Sequence, residues 1–244
     1  MIVRNQNLKY NYFNNNLVPE EITLKIYNLL LNIDSSYWRK NTSFREQKKS
    51  FFKLEKVNSL ILNATEAFHD SNVIKKIEKI TCIENLEADP SLYAGGISMM
   101  SKGDFLNPTS ITVMMPKKKY RGLNLLFYIS PNWKESIGGN LELWDEKINK
   151  KITITSKFNR LVVMKTNKHS WYSVSKLKIN QPRCCISNYY FTRNSPEKYE
   201  YYHVTSFNGR PEEKVKRIYS YFDNFLRQKV SSVFNISRGK SLVR

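Results

Sequence analysis

From about residue 81 onward the chain breaks into short apolar runs separated by Gly, Pro and Asn, and this texture limits the fold more than any other feature. Ile97–Met100, Ser110–Met115, Leu123–Ser130, Asn140–Trp144, Lys151–Thr155, Arg160–Thr166, Trp171–Leu177 and Cys184–Thr192 each have strand length and turn-forming flanks. Eight strands at this spacing predict a closed or double-sheet architecture such as a jelly roll.

The first 80 residues read differently. A short strand is expected near Leu8–Phe13. Pro19-Glu20-Glu21 then opens an amphipathic helix carrying Ile22, Ile26, Leu29, Leu30 and Ile33 at helical spacing. Residues 34–50 are polar and basic, which predicts a loop or exposed turn holding Trp38. Phe52, Leu54, Val57, Leu60, Ile61 and Ala64 suit one further helical face, and Val73, Ile74, Ile77 and Ile80 another. After Pro211 a last helix is expected from about Glu212 to Val230, followed by a basic tail. The organisation is therefore a helical support region over 1–80, a β core over 81–211 and a helix with basic tail over 212–244, in one integrated domain.

Charge and cysteine usage narrow the functional classes. Lys+Arg 40 against Asp+Glu 21 gives a formal charge of +19, which favours an anionic partner such as nucleic acid or an acidic protein surface. Lys117, Lys118, Lys119 and Arg121, with Arg227 and Lys229 towards the end, are the candidate polyanion-binding residues. No helix-turn-helix, zinc-finger or RNA-binding signature accompanies them. Cys82, Cys184 and Cys185 make no disulfide framework and are expected to be buried thiols, the adjacent pair on opposite strand faces. The polar start predicts no signal peptide, and no apolar run reaches ~18 residues, so an intracellular protein is expected. The Asn-, Lys-, Ile- and Tyr-rich composition also suits a viral or phage assembly component, which would place it in a virion.

Several segments occur together in one order: Gly95-Gly96, Gly103-Asp104-Phe105-Leu106, Tyr120 to Tyr128, Trp133, Gly138-Gly139-Asn140-Leu141-Glu142-Leu143-Trp144-Asp145, Phe158-Asn159-Arg160-Leu161, Ser170, and Arg183 leading into Tyr189-Tyr190. On these the stretch 83–211 resembles the 2-oxoglutarate/iron(II) oxygenases, most closely the prolyl 4-hydroxylase-like branch. The resemblance implies a double-stranded β-helix buttressed by N-terminal helices. It also implies iron(II) held by two His and one carboxylate, with 2-oxoglutarate beside it.

The resemblance places those three ligands at Thr109, Ile111 and Tyr172, none of which is a His or a carboxylate. The chain's only histidines are His69, His169 and His203, and none falls in register with the site. Arg183 matches the arginine that grips the distal carboxylate of 2-oxoglutarate, whereas Cys185 and Met100 stand where the family carries hydroxyl groups. The two readings of Arg183 are a structural salt bridge in the barrel and a retained carboxylate site. The expectation is a degenerate oxygenase-like protein, without catalytic residues or cofactor, acting as a binding or structural subunit. The alternatives are an active oxygenase with an atypical metal site, which would need Fe(II) and 2-oxoglutarate, and a nucleic-acid-associated basic module.

Overall fold

The computed structural model describes residues 2–5, 8–51, 58–90, 92, 95–110, 114, 115, 119–195 and 205–234. Eight strands build the barrel: β6 (Gly96–Met100), β7 (Phe105–Ser110), β9 (Lys119–Tyr128), β10 (Leu141–Trp144), β11 (Lys151–Ile154), β12 (Arg160–Lys165), β13 (Trp171–Val174) and β14 (Arg183–Thr192). They pair antiparallel in the orders β12-β9-β14-β6 and β7-β13-β10-β11. This is the double-stranded β-helix: apart from the β10–β11 hairpin, consecutive barrel strands alternate between two facing sheets, and both sheets send every second side chain inward.

The remaining strands extend this barrel. β1 (Ile2–Asn5) and β2 (Leu8–Asn15) lengthen the first sheet beyond β12. β3 (Arg39–Thr42) and β4 (Glu46–Phe51) form a hairpin whose second strand bridges β6 and β7, joining the two sheets at that edge. The sequence predicts a loop there because the segment is polar. Its backbone hydrogen bonds nevertheless go into the sheet, and Trp38 is buried against Phe51 rather than exposed. β5 (Glu87–Ala88), β8 (Met114–Met115) and β15 (Ser206–Phe207) add short pairings to β14, β9 and β7.

Of the strand expected over Ser110–Met115, Ser110 ends β7 (Phe105–Ser110), Met114–Met115 form β8, and residues 111–113 lie outside the described residues. Asn107-Pro108 reads as a turn signal in the sequence but sits inside β7. The register slips between the Leu106–Val174 and Thr109–Tyr172 pairs, and this bulge is the kind of site where a strand tolerates proline.

Helices α1 (Glu20–Leu31), α2 (Ser59–Glu66) and α3 (Ser71–Thr81) cover the outer face of the β12-β9-β14-β6 sheet. Ile26, Leu30, Ile61, Phe68 and Ile77 pack there against Leu123, Leu125, Phe127, Leu161, Val163, Cys184 and Ile186. The buried face of α1 is Thr23, Ile26, Tyr27 and Leu30, leaving Ile22 exposed. Asp70 caps α3 through the backbone amides of Asn72 and Val73, and Asn58 caps α2 through that of Leu60. Phe52, Leu54 and Val57 lie outside the described residues.

Asn159 adopts a left-handed φ of 57° and ties the segment before α1 to the barrel. Its side-chain amide bonds both the N–H and the carbonyl of Val18. Gly138 and Gly139 have φ of 81° and 65°, and a Cβ at Gly138 would stand 2.0 Å from the Lys176 carbonyl oxygen. The close approach expected of this turn is therefore present and excludes a side chain. A last helix, α4 (Lys214–Phe234), starts after Pro211 as the sequence predicts.

Candidate functional site

Strand alternation decides what enters the barrel. On β14, Arg183, Cys185, Ser187 and Tyr189 line an interior cavity of about 380 Å3, while Cys184, Ile186 and Tyr190 belong to the helix-covered core. β9 contributes Asn124, Leu126 and Tyr128, β13 contributes Tyr172 and Val174, and the β3–β4 hairpin brings Arg39, Glu46 and Lys48 to the same cavity. Tyr128 lies directly across from Cys185 in the β9–β14 register.

Arg183 is 4% exposed. Its Nε donates to Ser156 Oγ at 3.1 Å, Nη1 approaches Met100 Sδ at 3.7 Å, and the guanidinium stands 4.9 Å from the Tyr128 ring centroid. Among the described residues no carboxylate pairs with it. The strands around Arg183 present Ser, Met, Tyr and Cys inward, none of which carries negative charge at neutral pH. Burial pushes the Tyr128 phenol far up, with the Arg183 charge only partly offsetting it. Burial also pushes the Cys185 thiol to about 11 and the Cys184 thiol to about 12, so neither is a thiolate nucleophile at neutral pH. Both are buried as expected, whereas Cys82 is exposed because it ends α3 in a left-handed conformation at the surface.

The positions that the resemblance assigns to iron come out as follows. Thr109 is buried on β7 directly opposite Tyr172 on β13, and its hydroxyl donates to the Ser206 carbonyl at 3.0 Å. Ile111 lies outside the described residues. Burial, reinforced by the neighbouring Tyr189, holds the Tyr172 phenol well above its ordinary pKa, so it stays protonated at neutral pH. A hydroxyl committed to a carbonyl and a neutral phenol are not the nitrogen and carboxylate donors that iron(II) takes in such sites. His169 stands in the turn before β13 with its ring 3.2 Å from Glu146, His69 is on the helical side, and His203 lies outside the described residues. Among the described residues no three His, Cys, Asp or Glu gather to hold a metal ion. The side chains described at these positions thus do not fit iron(II). Arg183 does fit a small carboxylate, the part of 2-oxoglutarate that does not touch a metal.

The structure describes four of the six basic candidates. Lys117 and Lys118 lie outside the described residues. Lys119 is paired with Glu87, and Arg121 is buried with its guanidinium 5.1 Å from the Tyr189 ring centroid. Arg227 reaches Asp223 at 3.8 Å, and Lys229 lies over Phe225.

Sequence reading missed a second polar cluster, on the outer face of β10. Glu142 is 2% exposed and accepts from Lys151, from Arg210 Nη1 at 2.6 Å and from Ser173 Oγ at 2.7 Å. Trp144 Nε1 also donates to Ser173 Oγ. Burial raises the Glu142 pKa, but Lys151, Arg210 and Ser173 outweigh it and hold the carboxyl below its ordinary value. Glu142 was legible only as part of the Gly138–Asp145 pattern, because its main partner comes from a segment 68 residues later.

Comparison with known proteins agrees with this geometry. The family model of the 2OG-Fe(II) oxygenase superfamily matches residues 97–191. A prolyl-4-hydroxylase of Pseudomonas putida superposes with a TM-score of 0.57 at 11% identity, covering 76% of this chain and 93% of that one. A Trichoplax adhaerens prolyl hydroxylase, solved with a peptide fragment of a hypoxia inducible factor oxygen degradation domain, gives 0.55 at 17% identity, covering 74% and 83%. HygX of Streptomyces hygroscopicus, solved with nickel and 2-oxoglutarate, gives 0.53 at 7% identity, covering 80% and 87%. Comparison with curated proteins returns no match. The chain therefore has the double-stranded β-helix fold of the prolyl 4-hydroxylase-like 2-oxoglutarate/iron(II) oxygenases, and its barrel segment carries the sequence pattern of that superfamily.

Proposed function

We propose that this protein is a catalytically degenerate oxygenase-like barrel that works as a non-catalytic binding or structural subunit, with its cavity retained for a small carboxylate. The observation that carries the reading is the pairing of Thr109 with Tyr172 across β7 and β13, where the resemblance would put two metal-binding histidines. The cavity behind them has lost donors for iron and kept Arg183, a buried cation without a carboxylate partner among the described residues. A guanidinium in that condition is stabilised by an incoming carboxylate, which it binds through parallel N–H donors. The subunit then responds to ligand by being stabilised rather than by turning it over.

Calorimetric titration of the metal-free protein with 2-oxoglutarate in EDTA tests this. The expected result is stoichiometric binding that persists in chelator and weakens at least about tenfold in Arg183→Met. Binding that appears only when iron(II) is added would overturn it. The second reading, an active oxygenase with an atypical metal site, is favoured by one observation: Arg183 faces the cavity as a cosubstrate anchor would.

A further inference from the structure

α4 is amphipathic in the reverse sense. The side that faces the rest of the protein is polar: Arg217 donates to the carbonyls of Lys147 and Ile148, Asp223 pairs with Arg45 at 2.6 Å, and Asn224 bonds the Phe207 backbone in both directions. Ser220 on the same side is buried. At 3.6 residues per turn the opposite side carries Val215, Ile218, Tyr219, Phe222, Phe225 and Leu226, with Tyr221 at its border. These seven side chains are 55–81% exposed.

A helix held by hydrogen bonds and an ion pair, with an aromatic stripe outward, is a preformed surface rather than a frayed end. Phe44 packs edge-on against Tyr219 and fixes that side of the stripe. The exposed area is on the order of 800 Å2 at roughly 200 Å2 per side chain. That exceeds the ~300–600 Å2 of the largest apolar patch on a typical monomer. It matches one partner's share of a standard interface of roughly 1,600 Å2.

The charge on the helix selects the occupant. α4 holds five basic residues, Lys214, Lys216, Arg217, Arg227 and Lys229, and one acid, Asp223, which Arg45 engages from the barrel side. The exposed lysines Lys214 and Lys229 stand at the two ends of the apolar stripe. A second copy would repeat the same patch and set lysine against lysine. A membrane-surface helix uses a basic face for the headgroups, but Arg217 is turned to barrel carbonyls and Arg227 to Asp223. We propose that the outward face of α4 docks an amphipathic helix of another protein whose apolar stripe is bordered by Asp and Glu. Such a helix would lie along about 17 Å of α4, with Phe222 near the middle.

The site is separate from the barrel cavity and does not depend on the absence of iron. The test uses the full chain and two synthetic amphipathic peptides that share a leucine stripe, one bordered by glutamates and one by lysines. Fluorescence titration should show the acidic peptide bound at least about tenfold more tightly than the basic one. Phe222→Asp with Leu226→Asp should abolish binding at an unchanged melting temperature, since both side chains are exposed, and Ile218→Ser should weaken it. The double variant should still bind 2-oxoglutarate as the parent does, so the docking and cavity readings fail separately. Equal binding of both peptides, or none, would overturn the proposal. So would a dimer in sedimentation that the double variant abolishes, which assigns the face to a second copy. Binding to mixed phosphatidylcholine and phosphatidylserine vesicles that the variant abolishes would assign it to a membrane instead.

Discussion

At the residue scale, Arg183 holds a guanidinium at 4% exposure with a hydroxyl, a thioether and an aromatic ring for company. These contacts offset only part of the desolvation of a buried cation. If the residue is kept for a ligand, the ligand-free protein gains nothing from its charge. Arg183→Met should then leave stability unchanged or raise it by about 1–2 kcal/mol in ligand-free denaturant unfolding. It should also remove the rise in melting temperature that 2-oxoglutarate gives the parent. A loss above ~3 kcal/mol in the variant would make Arg183 a structural residue. Thr109, Tyr172 and Arg183 could be placed from the sequence because each lies a fixed number of residues from a retained landmark: Gly103-Asp104, Ser170 and the β14 pattern. Ser156 and Tyr128 could not. Their proximity to Arg183 depends on the register of β9 against β14 and on a turn after β11, and neither is a local property.

At the scale of elements, the barrel strands were legible wherever a run was apolar, since strands buried on both faces need no alternation to be recognised. β3 and β4 were not, because their half-exposed residues are Asn, Glu, Lys and Ser and pairing is mediated by the backbone. The part of β7 ahead of Ser110 was not read as strand, because proline normally ends a strand and here occupies a bulge. The Glu142 cluster joins β10 to Arg210, in the segment leading to α4. The folded pKa of Glu142 lies below its unfolded value. Its stabilising contribution is therefore fully present above the unfolded value of ~4.3 and is lost as pH falls through the folded one. Glu142→Gln should cost about 3–5 kcal/mol at neutral pH by leaving Arg210 and Lys151 unpaired. Urea midpoints measured against pH should fall less steeply on the acid side in the variant than in the parent. Parallel acid limbs would show that Glu142 titrates alike folded and unfolded.

At the scale of the whole molecule, the change of texture near residue 81 marks where the eight barrel strands begin, but the first 80 residues are not helices alone: β1 to β4 join the same sheets. The net charge of +19 did not reveal where a partner binds. The described basic candidates Lys119, Arg121, Arg227 and Lys229 each lie against an acid or a ring, and the most exposed apolar surface lies on α4, whose periodicity fixes a stripe but not which side the barrel takes. No helix among the described residues is long and apolar enough to cross a membrane. The central claim is that this oxygenase fold has given up its metal chemistry while keeping its cavity. The most direct measurement is anaerobic titration of the purified chain with iron(II) in saturating 2-oxoglutarate, followed by admission of oxygen and assay of succinate. The account predicts no charge-transfer absorption, no metal retained above background and no succinate beyond a protein-free control. Stoichiometric iron, with succinate formed in proportion to protein, would contradict it.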